Sequence, residues 1–109
     1  MMEKIHFDII NFTKQLVKTP SQNGIDSEKK VADLVFRKLK DFGFSPKIIG
    51  SKEHPSVFCK ISKNPRGKTI WLESCLDTVA IGDLSKWKHP PFEGIIKGSK
   101  MYGLSLIHI

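Results

Sequence analysis

The sequence contains few cysteines and no long apolar run. Its two cysteines, Cys59 and Cys75, are too few for the disulfide framework of a small secreted protein. No apolar stretch approaches the ~20 residues that a membrane-spanning helix needs. Residues 1–18 mix charged and apolar side chains, so they lack the unbroken apolar centre of a signal peptide. These absences predict a cytoplasmic protein with reduced thiols and no membrane partner.

Arginine is also scarce, although the chain is basic. The 109 residues carry a formal net charge of +7, and most of the positive charge comes from lysines spread between Lys4 and Lys100. Nucleic-acid-binding modules usually combine arginine with aromatic residues that stack on bases. We therefore predict a solvated, lysine-rich surface and no nucleic-acid partner. A basic nucleic-acid adaptor is the less favoured alternative.

The chain does contain a pattern of two helices followed by short strands. With 39% hydrophobic and 27% charged residues, it has the composition of one small globular domain. Apolar residues recur at steps of three and four over residues 3–18 and 27–42, which predicts two helices, and Gly43 is placed to end the second. Short β-branched or aromatic runs predict strands at 47–49, 57–61 and 69–72 and a hairpin over 92–102 that turns at Gly98-Ser99. We expect an α/β fold in which two helices pack on a mixed β-sheet.

Candidate chemistry is concentrated in residues 71–103. Cys75 and Asp77 follow an apolar run and are two residues apart, which places both side chains on one face of an extended segment. A thiolate and a carboxylate side by side can bind or tune a metal ion. The residues alone leave open the plainer alternative of a buried thiol beside an aspartate in a turn.

The order and spacing of short motifs around this pair resemble a known metallohydrolase family. That family includes acetylornithine deacetylase, succinyl-diaminopimelate desuccinylase, aminoacylase and related dipeptidases and carboxypeptidases. Its first signature is an apolar strand, then His-x-Asp-Thr-Val, a loop to a Trp, Pro-Phe, and a hairpin ending in Tyr-Gly. The matching residues are Leu76-Asp77-Thr78-Val79, Gly82-Asp83, Trp87, Pro91-Phe92, Gly94 and Tyr102-Gly103. Thr19-Pro20-Ser21 before the second helix is similar to the family's opening pattern.

The resemblance implies a zinc-peptidase-like catalytic domain that hydrolyses the amide bond of an N-acyl-amino acid or a small peptide. It also implies two zinc ions, or cobalt or manganese in their place, and a homodimeric parent protein. Cys75 stands where the family has its first metal-binding His, so it is the candidate metal ligand. Asp77 matches the carboxylate that orients this His, so it is the candidate catalytic residue. A thiolate is a competent zinc ligand, but it has no second ring nitrogen for Asp77 to orient.

The end of the sequence departs from the family pattern. The family continues past Tyr-Gly with Arg-Gly and a bridging Asp, whereas residues 104–109 read Leu-Ser-Leu-Ile-His-Ile. These six residues match the translation of a transposon-end sequencing adapter. We therefore expect residues 1–103 to be the N-terminal portion of the catalytic domain, residues 104–109 to be a non-native tail, and His108 not to be a ligand. This predicts a truncated fragment that is inactive by itself, with a small non-catalytic binding module as the alternative.

Overall fold

The first helix forms where its apolar periodicity predicts it. The computed structural model describes residues 1–104, and in it helix α1 spans Met2–Val17. The helix ends because Pro20 disfavours a helical conformation at the residue before it. Thr19 closes the last turn by donating from its backbone N to the Leu16 carbonyl at 3.1 Å and from its hydroxyl to the Gln15 carbonyl at 2.8 Å. The chain therefore leaves α1 in a defined direction, toward the loop that precedes the second helix.

The second helix, α2, spans Lys29–Asp41 and provides most of the small apolar interior. Val31 and Ala32 on its first turn are buried. Ser27 accepts a hydrogen bond from the backbone N of Lys29 at 3.1 Å, which satisfies one of the free N–H groups at the start of the helix. At the other end Gly43 has a φ of +87°, which lets its N–H and that of the next residue return to carbonyls of the last turn. The expected glycine cap is confirmed.

An antiparallel pair of strands packs against α2. Strand β1 spans Lys47–Gly50 and strand β2 spans Pro55–Phe58, with Lys47 opposite Phe58 and Gly50 opposite Pro55. The second strand therefore begins and ends earlier than the predicted residues 57–61. The loop between the strands is tied to the start of α2, because the Ser27 hydroxyl donates to the Glu53 carbonyl at 2.7 Å.

The strand predicted at residues 69–72 does not form a ladder in the part of the chain that the structure describes. The turn that precedes it does form, with the backbone N of Gly67 donating to the Asn64 carbonyl at 3.1 Å. A turn depends on a few neighbouring residues, but a ladder between two strands also needs an apolar face that becomes buried. Here Ile70, Trp71 and Leu72 remain 84%, 75% and 93% exposed, so that stabilisation is missing.

A second antiparallel hairpin closes the described chain. Strand β3 spans Ile95–Lys97 and strand β4 spans Lys100–Tyr102, with the predicted turn at Gly98-Ser99. The two helices and these small sheets confirm an α/β fold. However, the strands of the described residues form two separate antiparallel pairs, and parallel pairing among these residues is confined to an isolated bridge between Gln22 and Thr78. Residues 1–104 therefore contain no single mixed sheet, and residues 69–72, predicted as a further strand, remain exposed and unpaired there.

Helix α1 contacts both the β3–β4 hairpin region and helix α2. Its Val17 and Lys14 lie against Gly103 and Gly94, which have no side chains to keep the helix away. On another side, the Lys38 ammonium of α2 lies 5.4 Å from the centre of the Phe12 ring. Among the described residues, no helix is long and apolar enough to cross a bilayer.

Candidate functional site

The segment that carries Cys75 and Asp77 is held by the loop that follows α1. The Ser21 hydroxyl donates to the Leu76 carbonyl at 2.8 Å. The backbone N of Thr78 donates to the Ser21 carbonyl at 2.9 Å, and the backbone N of Asn23 donates to the Thr78 carbonyl at 2.8 Å. These bonds run on both sides of Asp77 and so fix the backbone around it.

Gln22 extends this attachment through its side chain, which is almost completely buried. Its amide oxygen accepts from the backbone N of Ile81 at 3.1 Å, and its amide nitrogen donates to the Asp26 carboxylate at 3.0 Å. The same carboxylate oxygen accepts the backbone N of Gln22, also at 3.0 Å. Both polar ends of the Gln22 side chain are therefore satisfied, as burial requires. We call Ser21, Gln22, Asn23 and Asp26 together the loop clamp.

Cys75 and Asp77 lie on either side of Leu76, whose carbonyl the loop clamp holds. Cys75 is a free thiol and is exposed, while Asp77 is half-buried. The alternative of a buried thiol is therefore wrong for Cys75. Within residues 1–104 the Cys75 thiol is therefore accessible to solvent.

The donor set that the structure describes is too small for zinc. Zinc sites in proteins use three or four protein ligands in a tetrahedral arrangement. Within residues 1–104, no group of three or more His, Cys, Asp or Glu side chains is placed to hold a metal ion. Cys75 and Asp77 therefore remain predicted site residues that do not complete a metal centre by themselves. His108 lies outside the described residues.

The loop after the candidate segment returns to it through a tryptophan. Asp83 begins a short 3₁₀ helix, Leu84–Lys86, by accepting from the Ser85 hydroxyl at 2.7 Å and the Ser85 backbone N at 3.0 Å. These two bonds hold the pKa of Asp83 below its usual range, and the bond from the hydroxyl has the larger effect. Trp87 then donates from its indole N to the Ile81 carbonyl at 2.9 Å. Ile81 is thus held at its N–H by Gln22 and at its carbonyl by Trp87.

One polar atom at the site has no partner within the described chain. The Thr78 hydroxyl oxygen is buried and makes no hydrogen bond to any of residues 1–104. Buried hydroxyls are nearly always hydrogen-bonded, because leaving one unpaired costs about 1–3 kcal/mol. The residue next to Asp77 therefore has an unused hydrogen-bonding group.

A shallow cavity lies on the hairpin side of Trp87. Its volume is about 400 Å³, and its lining residues are Trp87, Lys88, His89, Met101, Tyr102 and Gly103. The rings of His89 and Tyr102 lie 4.2 Å apart at an interplanar angle of 48°. The Tyr-Gly end of the resemblance motif therefore lies close in space to its Trp.

Sequence reasoning missed the buried polar residues of the loop clamp. Ser21 and Gln22 are 3% and 7% exposed, yet they lie in a stretch whose composition predicts a solvated turn. The only available signal was the similarity of Thr19-Pro20-Ser21 to the family's opening pattern. That similarity marked the position of the loop but not the contact that it makes.

Comparison with known proteins supports the resemblance. No family model matches the chain. The chain is 34% identical to an uncharacterized metallohydrolase of Methanocaldococcus jannaschii, with 88% of this chain and 27% of that protein aligned. It is 31% identical to succinyl-diaminopimelate desuccinylase 1 of Ruegeria sp., with 88% of this chain and 25% of that protein aligned. The chain thus spans about a quarter of the length of these curated relatives. By these alignments and by its motifs, the chain belongs to the metallohydrolase family that includes succinyl-diaminopimelate desuccinylase.

Proposed function

We propose that this chain is the N-terminal segment of a metal-dependent amidohydrolase that cleaves an N-acyl-amino acid or a small peptide. The observation that carries the proposal is the attachment of residues 76–81 to the loop clamp, which fixes the backbone around Asp77 in a segment aligned with metallohydrolases. The name of the desuccinylase relative describes an enzyme that acts on a small acylated molecule. This favours a small-molecule substrate for the present chain.

In this proposal Cys75 contributes one bond to a zinc ion, and Asp77 lies beside it. Two donors leave the ligand set of zinc incomplete, so the remaining ligands come from a part of the longer protein outside residues 1–104. The proposal therefore includes that the 109-residue chain is inactive by itself. It also includes a cytoplasmic, dimeric parent enzyme.

The test uses the uninterrupted reading frame of the gene, expressed with wild-type Cys75 and with the variants Cys75→Ser and Cys75→His. Zinc per chain is measured by elemental analysis, and amide hydrolysis is measured on N-acyl-amino acids. Cys75→Ser should lose zinc, because an alcohol is a poor replacement for a thiolate. Cys75→His should keep zinc and activity, because Asp77 can orient an imidazole.

The chain itself offers the control, because Cys59 is its other free cysteine. Cys59→Ser should leave the zinc content unchanged. Unchanged zinc in Cys75→Ser would end the assignment of Cys75 as a ligand. The inactivity of the 109-residue chain is checked separately, since metal-dependent turnover above that of a Cys75→Ala control would contradict it.

A further inference from the structure

The position of the Cys75–Asp77 pair depends on the loop clamp more than on any β-sheet. Four hydrogen bonds join the clamp to residues 76–81, through the carbonyls of Leu76 and Thr78 and the N–H groups of Thr78 and Ile81. In the described chain, residues 59–77 belong to no strand, so no ladder holds this stretch from another side.

Among the residues of the loop clamp, Gln22 bonds to the residue that lies furthest along the chain. It reaches Ile81, four residues past Asp77, and is itself held by Asp26. The Asp26 oxygen also fixes the Gln22 backbone N–H, so one carboxylate orients both the main chain and the side chain of Gln22.

We infer that Gln22, oriented by Asp26, is a positioning residue for the candidate site, and that it sets where Cys75 and Asp77 lie. Neither residue needs to touch a metal or a substrate for this role. Its relevance to catalysis rests on the proposed function, but the positioning itself can be measured without a metal.

The experiment uses the 109-residue chain with a single nitroxide spin label. In a Cys59→Ser background the label is on Cys75, and in a Cys75→Ser background it is on Cys59, which precedes the Asn64–Gly67 turn and is outside the clamp. Electron paramagnetic resonance then reports the local mobility at each cysteine.

Asp26→Ala removes the oxygen that holds Gln22. The rotational correlation time of the Cys75 label should shorten by roughly twofold or more, because the released segment gains motion on the nanosecond scale. The correlation time of the Cys59 label should stay unchanged, because Cys59 is outside the clamp. Asp26→Asn keeps an oxygen at the same place and should restore the wild-type spectrum. Rescue by Asn separates positioning from a general requirement for the charge.

Two outcomes would overturn the inference. An unchanged Cys75 spectrum in Asp26→Ala would show that Asp26 and Gln22 do not position the segment, and equal sharpening at both cysteines would show general loosening. If Asp26→Ala does not fold, Gln22→Met takes its place, since it removes the contacts of the Gln22 side chain to Ile81 and Asp26 and keeps an unbranched side chain of similar size.

A titration with zinc alone, on the unlabelled variants of the full reading frame, distinguishes this inference from the proposed function. Weaker zinc binding in Asp26→Ala with recovery in Asp26→Asn supports both. A sharpened Cys75 spectrum with unchanged zinc binding supports the clamp and counts against the metal assignment.

Discussion

Replacing Gly103 by Ala should destabilise the protein through a contact with α1 that can be relieved by a second substitution. A Cβ atom at Gly103 would overlap Cγ1 of Val17, and it would lie 3.3 Å from the Pro91 carbonyl oxygen. The new atom is therefore caught between a helix side chain and a backbone oxygen. Inserting a methyl group into such a contact costs about 1–3 kcal/mol of unfolding free energy.

The partner substitution Val17→Ala removes the overlapping Cγ1 methyl group together with Cγ2. By itself it should cost about 1 kcal/mol, because Val17 is half-buried and loses two methyl groups worth roughly 0.8 kcal/mol each when fully buried. In the double variant the methyl group introduced by Gly103→Ala occupies the space that Val17 leaves. The double variant should therefore be about as stable as Val17→Ala, which gives a coupling of about 1–3 kcal/mol.

Urea denaturation measures the unfolding free energy of the wild type, the two single variants and the double variant. The measurement is made at about 10 °C, near the temperature of maximum stability. Gly67→Ala is the matched control, because a Cβ there meets nothing closer than the Asn64 carbonyl oxygen at 3.4 Å. It should change stability by no more than about 0.5 kcal/mol. Additivity of the two substitutions within about 0.5 kcal/mol would refute the packing of α1 against Gly103.

Three further substitutions test other parts of the structure. Thr78→Val removes a buried unpaired hydroxyl, so in urea denaturation it should be neutral or stabilise the chain by about 1 kcal/mol. A loss of stability would show that this hydroxyl has a partner. The hydrogen bond from His54 holds the pKa of Glu28 below 4.5. The contribution of ionised Glu28 to the stability of the fold is therefore complete above pH 4.5 and is lost as the pH falls through the lowered pKa. Glu28→Gln should therefore flatten the acid side of a plot of Tm against pH, and parallel curves would contradict this. Gly43→Ala should cost about 1–2 kcal/mol because of its φ of +87°, and Gly43→Asn less, as thermal denaturation can check.

The features that the sequence predicted well are those that depend on near neighbours. Both helices, the cap at Gly43 and the turn at Gly98-Ser99 follow from periodicity or from a residue that adopts a positive φ, and the structure contains all of them. The strand at residues 69–72 had an equally good local pattern. It fails because a ladder needs a partner and a buried face, and neither can be read from the strand itself.

The candidate site divides in the same way. The spacing of Cys75 and Asp77, together with the motifs around them, predicted where to look for chemistry, and the alignments support the family. The burial of Ser21 and Gln22 could not be predicted, because their partners lie 55 and 59 residues further along the chain. A polar loop and a buried polar loop have the same composition, and only the long-range contact distinguishes them.

The long sequence separation within the loop clamp also has a consequence for the order of folding. Closing a flexible loop between residues 55 positions apart costs roughly 3.5 kcal/mol of chain entropy by the logarithmic law, against about 1.4 kcal/mol for Gly50 and Pro55, which are five positions apart. The β1–β2 hairpin can therefore form early, whereas the bonds to Leu76 and Ile81 form late. The amides of Thr78 and Ile81 should then exchange with solvent through an opening that leaves α2 and its hairpin intact. The segment that carries Cys75 and Asp77 is thus expected to be among the last parts of the chain to fold and the first to open.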